Sequence, residues 1–167
     1  RKQYNKNYVS LMPTNLFGPY DNFDLESSHV LPAMLRKFHE AKINNHSEVK
    51  LWGTGNPMRE FLFVDDMAEA VVYAMENNLP EFLYNIGTGS DITIRELAEI
   101  VQKITGHQGN VLWDTSKPDG TPRKLMDVSK MKNIGWQYST DLTEGINKTY
   151  QWFLNHCDTI KERRLEL

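Results

Sequence analysis

The sequence predicts an α/β fold. Short apolar, β-branched runs that stop at Pro or Gly alternate with longer stretches whose apolar residues recur at helical spacing. Its 167 residues suit about one domain with a sizeable core. No internal repeat or low-complexity segment breaks the pattern.

Each element carries its own signal. Residues 8–12 read as a buried strand closed by Pro13. From 13 to 28 the chain reads as a long loop, with Gly18-Pro19 and Asp21-Asn22 as turn signals, and loops of that length inside a domain are often functional. A helix is expected over 30–43, where Leu31, Met34, Leu35 and Phe38 form a stripe. Ser28 is its expected cap, and Pro32 falls in the tolerant first turn. Strands over 49–52 and 60–64 follow. Asp65-Asp66 then opens a helix with apolar positions Met67, Val71, Val72 and Met75, the two carboxylates complementing its dipole. A strand over 82–86 ends at Gly87-Thr88-Gly89. Thr93 and Glu96 have capping-box spacing ahead of a helix striped by Ile94, Leu97, Ala98, Val101 and Ile104. A strand over 110–113, a short helix over 129–134 and an amphipathic helix over 141–153 complete the series.

Composition narrows the function. A net charge of -3 counts against a nucleic-acid partner, because such proteins usually show a basic face. The single cysteine, Cys157, cannot form an internal disulfide and gives no sign of an oxidising compartment. No apolar run approaches the roughly 18 residues that span a bilayer, and no charged-then-apolar leader opens the sequence. A cytoplasmic protein without a membrane partner is therefore expected. The first residue is Arg1, which reads as a start inside a longer protein or behind a removed tag. A domain over 1–157 and a disordered, charged tail over 158–167 are expected.

Two motifs are missing. No G-x-G-x-x-G fingerprint is present; Gly87-Thr88-Gly89 lacks a third glycine at the right distance, so the usual turn against a dinucleotide pyrophosphate is not found. There is also no Tyr-x-x-x-Lys. Asp65-Asp66 has no His or further carboxylate nearby in sequence, so helix capping is the reading there and no metal is expected.

Five segments together carry a resemblance: Pro13 to Phe23, Ser28-His29-Val30-Leu31-Pro32, Trp52 to Phe61, Val64-Asp65-Asp66-Met67-Ala68, and Lys117 to Lys124. They resemble the GDP-L-fucose synthase family of extended short-chain dehydrogenase/reductases, over about residues 4 to 156. The Arg-Glu-Phe and Val-Asp-Asp element is shared by many nucleotide-sugar enzymes. The Pro-Thr-Asn-Leu loop, the Ser-His-Val helix and the Lys-Pro-Asp-Gly segment, in that order, are more specific. The resemblance implies the C-terminal, substrate-binding part of an incomplete Rossmann-type fold, with the N-terminal dinucleotide half absent. It also implies 3,5-epimerisation and NADPH-dependent 4-reduction of GDP-4-keto-6-deoxy-D-mannose, with a homodimeric parent enzyme. This chain by itself is expected to lack turnover, since hydride transfer needs a bound cofactor and a proton donor.

The same resemblance assigns roles residue by residue. His29 is implied as the acid that reprotonates the sugar carbon beside the nicotinamide, and imidazole is suited to donating near neutral pH. Its ordinary alternative is a helix-capping or surface histidine. Pro13, Thr14, Asn15 and Leu16 are implied to line the NADP nicotinamide together with His29; the alternative is a rigid turn set by Pro13. Lys37 is implied on the nucleotide diphosphate, better matched than its neighbour Arg36, against the alternative of a solvated helix face. Trp52 is implied against the nucleotide end of the substrate, against the alternative of a core tryptophan. Arg59 is implied on the diphosphate, or else in a bridge to Glu60 or Asp65. Asp119 is implied to recognise guanine, or else simply to stabilise a Pro-Asp-Gly turn. Cys157 matches no catalytic position and reads as an ordinary thiol. Two other functions stay open: a different nucleotide-sugar epimerase or dehydratase, and a non-catalytic nucleotide-sugar-binding module.

Overall fold

Apolar runs separated by helices pair in parallel, because each crossover returns the chain to the same end of the sheet. The computed structural model describes residues 1–162, and three parallel strand pairs form among them. β1 (Ser10–Pro13) pairs with β6 (Leu83–Ile86), Ser10 standing opposite Leu83. The second pair is β2 (Asn15–Phe17) with β5 (Phe61–Phe63), and the third is β3 (Glu48–Trp52) with β8 (Asn110–Asp114). A small mixed sheet of β7 (Ile92–Thr93), β4 (Met58–Arg59) and β9 (Arg123–Lys124) lies beside them. The α/β class expected from the sequence is thus observed. The loop expected over 13–28 is interrupted by β2, whose three residues are too few to show a periodic signal.

Helix α1 (Val30–Ile43) and α3 (Ile94–Thr105) pack together, and α5 (Leu142–Glu162) lies against α3. Their stripes meet in one core that contains Leu35, Phe38, Leu97, Val101, Ile146 and Phe153. A second core joins Leu62, Ala70, Tyr84, Ile86, Met131 and Trp136 beneath α2 (Val64–Glu76) and α4 (Ser129–Asn133). The capping box expected at Thr93 and Glu96 forms in both directions, and Gly106 closes α3 in the left-handed conformation.

Four expectations need correction. Ser28 does not cap α1: the first helical bond runs from the Ala33 N–H to the His29 carbonyl, which makes His29 the cap residue, and its side chain makes no capping bond. Ser28 instead ends the preceding turn, its N–H donating to the Asp24 carbonyl, and its hydroxyl is buried without a partner. Helix α2 begins at Val64 and turns a different face inward. Asp66 and Ala70 are buried, while Val71, Val72 and Met75 are exposed, Met75 by 81%. Asp66 is no helix cap either. Its Oδ1 accepts from the Ser139 N–H at 2.8 Å, the Ser139 hydroxyl at 3.0 Å and the Thr140 N–H at 3.3 Å, tying the loop before α5 to this helix. Finally, α5 continues to Glu162, so the chain stays helical past the expected boundary at 158. Ile160 packs against the first core. Residues 163–167 lie outside the described residues.

Candidate functional site

Strands β3 and β8 end side by side at Trp52 and Asp114, and the last residues of β3, Leu51 and Trp52, line one wall of a cleft. Ligands collect at such carboxyl ends in open α/β sheets. The other wall is α1. The cleft holds about 200 Å³ and is lined by Ser28, Val30, Met34, Lys37, Trp52 and Ile94, among others. A largely apolar lining with a few charged groups, here Lys37 and Glu26, is the usual make-up of a small-molecule site.

Trp52 is not a core residue: it is 67% exposed. The alternation of β3 explains this, since Val49 and Leu51 point inward and Trp52 points out. The Lys37 ammonium sits 5.6 Å from the indole centroid, within cation–π range. Partial burial pushes the Lys37 pKa below its ordinary value, because charge is disfavoured away from water. Its neighbour Arg36 is buried, with Nε on Glu40 at 2.7 Å and Nη1 on the Phe23 carbonyl at 3.2 Å. The structure therefore separates the two: Arg36 ties the 13–28 segment to α1, and Lys37 faces the cleft.

Asp119 reaches the turn after Trp52. Its two oxygens accept from Thr54, Oδ1 from the N–H at 2.9 Å and Oδ2 from the hydroxyl at 2.7 Å, and these bonds depress its pKa, the hydroxyl bond most. Gly53 makes this approach possible: at φ +76°, any Cβ there would stand 2.2 Å from Asp119 Oδ1. Arg59 donates to the Met58 carbonyl at 2.7 Å and lies against Gly120, where an added Cβ would meet its Nη2 at 3.1 Å. Neither the bridge to Glu60 nor the one to Asp65 forms among the described residues. Lys37, Trp52, Arg59 and Asp119 thus gather around the ends of β3, β4 and β8.

His29 stands exposed between two cleft residues, Ser28 and Val30. Its charge acts on Asp21, a carboxyl whose pKa is raised chiefly by burial and lowered in part by the Asn22 N–H and by His29. Pro13, Thr14, Asn15 and Leu16 lie apart from the lining of this cleft, at the carboxyl end of β1. The segment is held from below: the Thr14 hydroxyl and the Asn15 amide both donate to the Glu60 carbonyl, at 3.2 and 2.7 Å.

Three contributors were not assigned roles from the sequence. Lys117, inside the Lys-Pro-Asp-Gly segment, places its ammonium 5.6 Å from the same Trp52 ring. Arg95 lies 4.7 Å from the Trp113 ring and donates to the Thr54 carbonyl at 2.6 Å. Glu60 is fully buried; its carboxylate accepts from the Gly89 N–H at 2.7 Å and the Met126 N–H at 3.1 Å. Only the position of Glu60 directly before an apolar run, Phe61-Leu62-Phe63, hinted at burial.

Parallel strands crossed by helices, with a candidate cleft of cationic and aromatic residues at the strand ends, define an α/β protein of the open-sheet class. Comparison with known proteins narrows that class. The chain belongs to the NAD dependent epimerase/dehydratase family, whose pattern matches residues 1–87. It is 52% identical to the probable GDP-L-fucose synthase 1 of Oryza sativa subsp. japonica, over 97% of this chain and 49% of that protein. It is 50% identical to the GDP-L-fucose synthase of Escherichia coli strain K12, over 96% of this chain and 53% of that protein. The solved structure of a GDP-L-fucose synthetase from Naegleria fowleri bound to NADP superposes with a TM-score of 0.84 at 34% identity, covering 90% of this chain and 48% of that one. The chain spans about half the length of the curated relatives it matches.

Proposed function

We propose that this chain supplies the GDP-sugar side of an NADP-dependent epimerase-reductase that makes GDP-L-fucose from GDP-4-keto-6-deoxy-D-mannose. The observation that carries the reading is the meeting of Lys37 and Trp52. They come from different elements, α1 and β3, yet the cation sits over the exposed ring at the mouth of one cleft. A flat indole suits ribose or base, and an ammonium suits a diphosphate. Relatives at about half identity that are named for GDP-L-fucose support the guanosine choice. Asp119 has both oxygens engaged by Thr54, so its part in recognising guanine would use the remaining lone pairs of a carboxylate already fixed in place.

The nicotinamide end of the cofactor fits the segment Pro13–Leu16. Thr14 and Asn15 spend their side-chain donors on Glu60, which leaves a rigid wall at the end of β1. No phosphate-binding glycine fingerprint lies in this sequence, so the rest of the dinucleotide would be held by a separate half. When bound, the cofactor supplies the hydride for reduction at C4. His29, exposed and with no capping bond from its side chain, would hold the proton that is returned to the sugar carbon. The outward face of α2, with Val71, Val72 and Met75, together with exposed Met12 and Phe82, would be covered by that half in the full-length enzyme.

Calorimetric titration with GDP, with UDP as the control, tests the reading. Binding of GDP with little binding of UDP is the expected result. Preference for UDP would move the assignment to a UDP-sugar epimerase.

A further inference from the structure

Lys37 is not the only cation on the indole. The Lys117 ammonium lies 5.6 Å from the same centroid, so the two charges share one ring. Among the described residues neither lysine pairs with a carboxylate; the nearby Asp114 is taken by Lys50 at 3.0 Å. A lone lysine on a tryptophan needs no explanation, since cation–π contact and apolar stem packing suffice. Two ammoniums without a carboxylate partner converge on one exposed indole. Together they offer two positive charges to an anion lying beside the ring.

Lys117 is also held in place. Its own N–H donates to the Asp114 carbonyl at 3.1 Å, and the Asp114 carboxylate accepts from the Ser116 hydroxyl at 2.6 Å, which shapes the turn. Two residues on, Asp119 fastens the same loop to Thr54, directly after Trp52 and Gly53. The loop is therefore clamped on both sides of Lys117, and the clamp sets it beside the ring.

We propose that Lys117 is a further diphosphate-binding residue, which shares the Trp52 ring with Lys37 and receives the pyrophosphate of the nucleotide. This rests on the nucleotide-sugar reading above. It gives Asp119 a positioning role: the carboxylate holds the loop that presents Lys117. The diphosphate of a nucleotide sugar carries one negative charge on each phosphate, and two ammoniums match it better than one.

Inorganic pyrophosphate and GDP are the probes, titrated into the chain and into Lys117→Met, which keeps the stem packing and removes the charge. A thermal melt of each variant checks folding; Lys117 is exposed, so the melt should not move. The expected result is a three- to tenfold weaker Kd for both probes, with a shallower salt dependence (order of magnitude for one lost charge-assisted contact). Asp119→Asn should produce part of the same loss, and guanosine, which lacks phosphate, should bind wild type and Lys117→Met alike. Unchanged pyrophosphate and GDP affinity in Lys117→Met would overturn the proposal while leaving the guanosine assignment standing. Equal affinity of wild type for GDP, UDP and ADP, with Lys117→Met still weakened, would sink the guanosine assignment and support the paired cations. Absence of pyrophosphate and GDP binding by wild type would overturn both.

Discussion

The carboxylate of Glu60 lies 2.7 Å from the backbone nitrogen of Gly89, although the two residues belong to different loops at the strand ends. The other oxygen accepts from the Met126 N–H, and the Glu60 carbonyl accepts from Thr14 and Asn15. One buried residue thus ties together the three segments after β1, β6 and β9.

Glu60→Gln should unfold more easily than wild type. The amide has one acceptor where the carboxylate had two, so it must turn an NH₂ toward one of two N–H groups. A buried group left unsatisfied costs about 1–3 kcal/mol, and urea denaturation should show a loss of that size with little change in slope. Gly87→Ala should act on the same place by contact, because its Cβ would stand 2.3 Å from Glu60 Oε1.

Asp66 is a second fastener. Replacing it with Asn should cost about 1–3 kcal/mol, since Asn keeps only one acceptor for donors from Ser139 and Thr140. A double-mutant cycle of Asp66→Asn with Ser139→Ala should show coupling of at least about 0.5 kcal/mol. Strict additivity would mean that the two do not act together in solution.

Acid should reveal Asp114. The Ser116 hydroxyl first, then Lys50, holds its pKa down to about 2 from the ordinary 3.8. Its folded value is below its unfolded value, so its contribution to stability is complete above pH 3.8 and is lost as the pH falls through about 2. A carboxyl NMR titration should give a midpoint near 2 in wild type and a higher one in Ser116→Ala. A midpoint at the ordinary value would show that the hydroxyl and Lys50 do not hold the charge.

Trp52 offers a direct reporter on the cleft. Trp52→Ala and Lys37→Met should each weaken GDP at least about fivefold, a loss on the order of 1 kcal/mol. Neither should shift the melting temperature by more than a degree or two, because the indole is exposed and Lys37 lies outside the core. Unaltered GDP affinity in both variants would remove this cleft as the nucleotide site.

The α2 face should govern solution behaviour. Val72→Lys with Met75→Lys should reduce self-association in sedimentation experiments while leaving the melt unchanged, since both residues are exposed. If the wild-type chain sediments as a monomer at every concentration, the face is not sticky in isolation.

Much of the architecture was legible because it follows from periodicity. The stripe of α3 and its Thr93–Glu96 box are local, and both formed as read. The inward side of α2 was not legible, because its burial is decided by a loop more than seventy residues away that brings Ser139 to Asp66. An apolar count favours Val72 and Met75 for the core; a satisfied carboxylate reversed that choice. The cleft shows the same division. Lys37 and Trp52 could be named from the resemblance, and the fold brings them into contact. Lys117 opens the Lys-Pro-Asp-Gly motif, but no role was read for it there, and its nearness to Trp52 exists only after β3 and β8 pair. Arg36 and Lys37 are adjacent in sequence, and only the position of Phe23 and Glu40 distinguishes which is buried.

The parallel pairing has a consequence in time as well as in space. Ser10 meets Leu83, and Glu48 meets Asn110, so neither sheet can begin until a long intervening stretch has been synthesised and brought back. The entropy of closing those loops is lost before any strand bond repays it, which places the chain among slow folders. During that interval β1 is an open edge and the α2 face is bare. A nascent chain would therefore pass through its most aggregation-prone stage before β8 has emerged, and stopped-flow refolding should show a main phase in the millisecond-to-second range expected of non-local topologies.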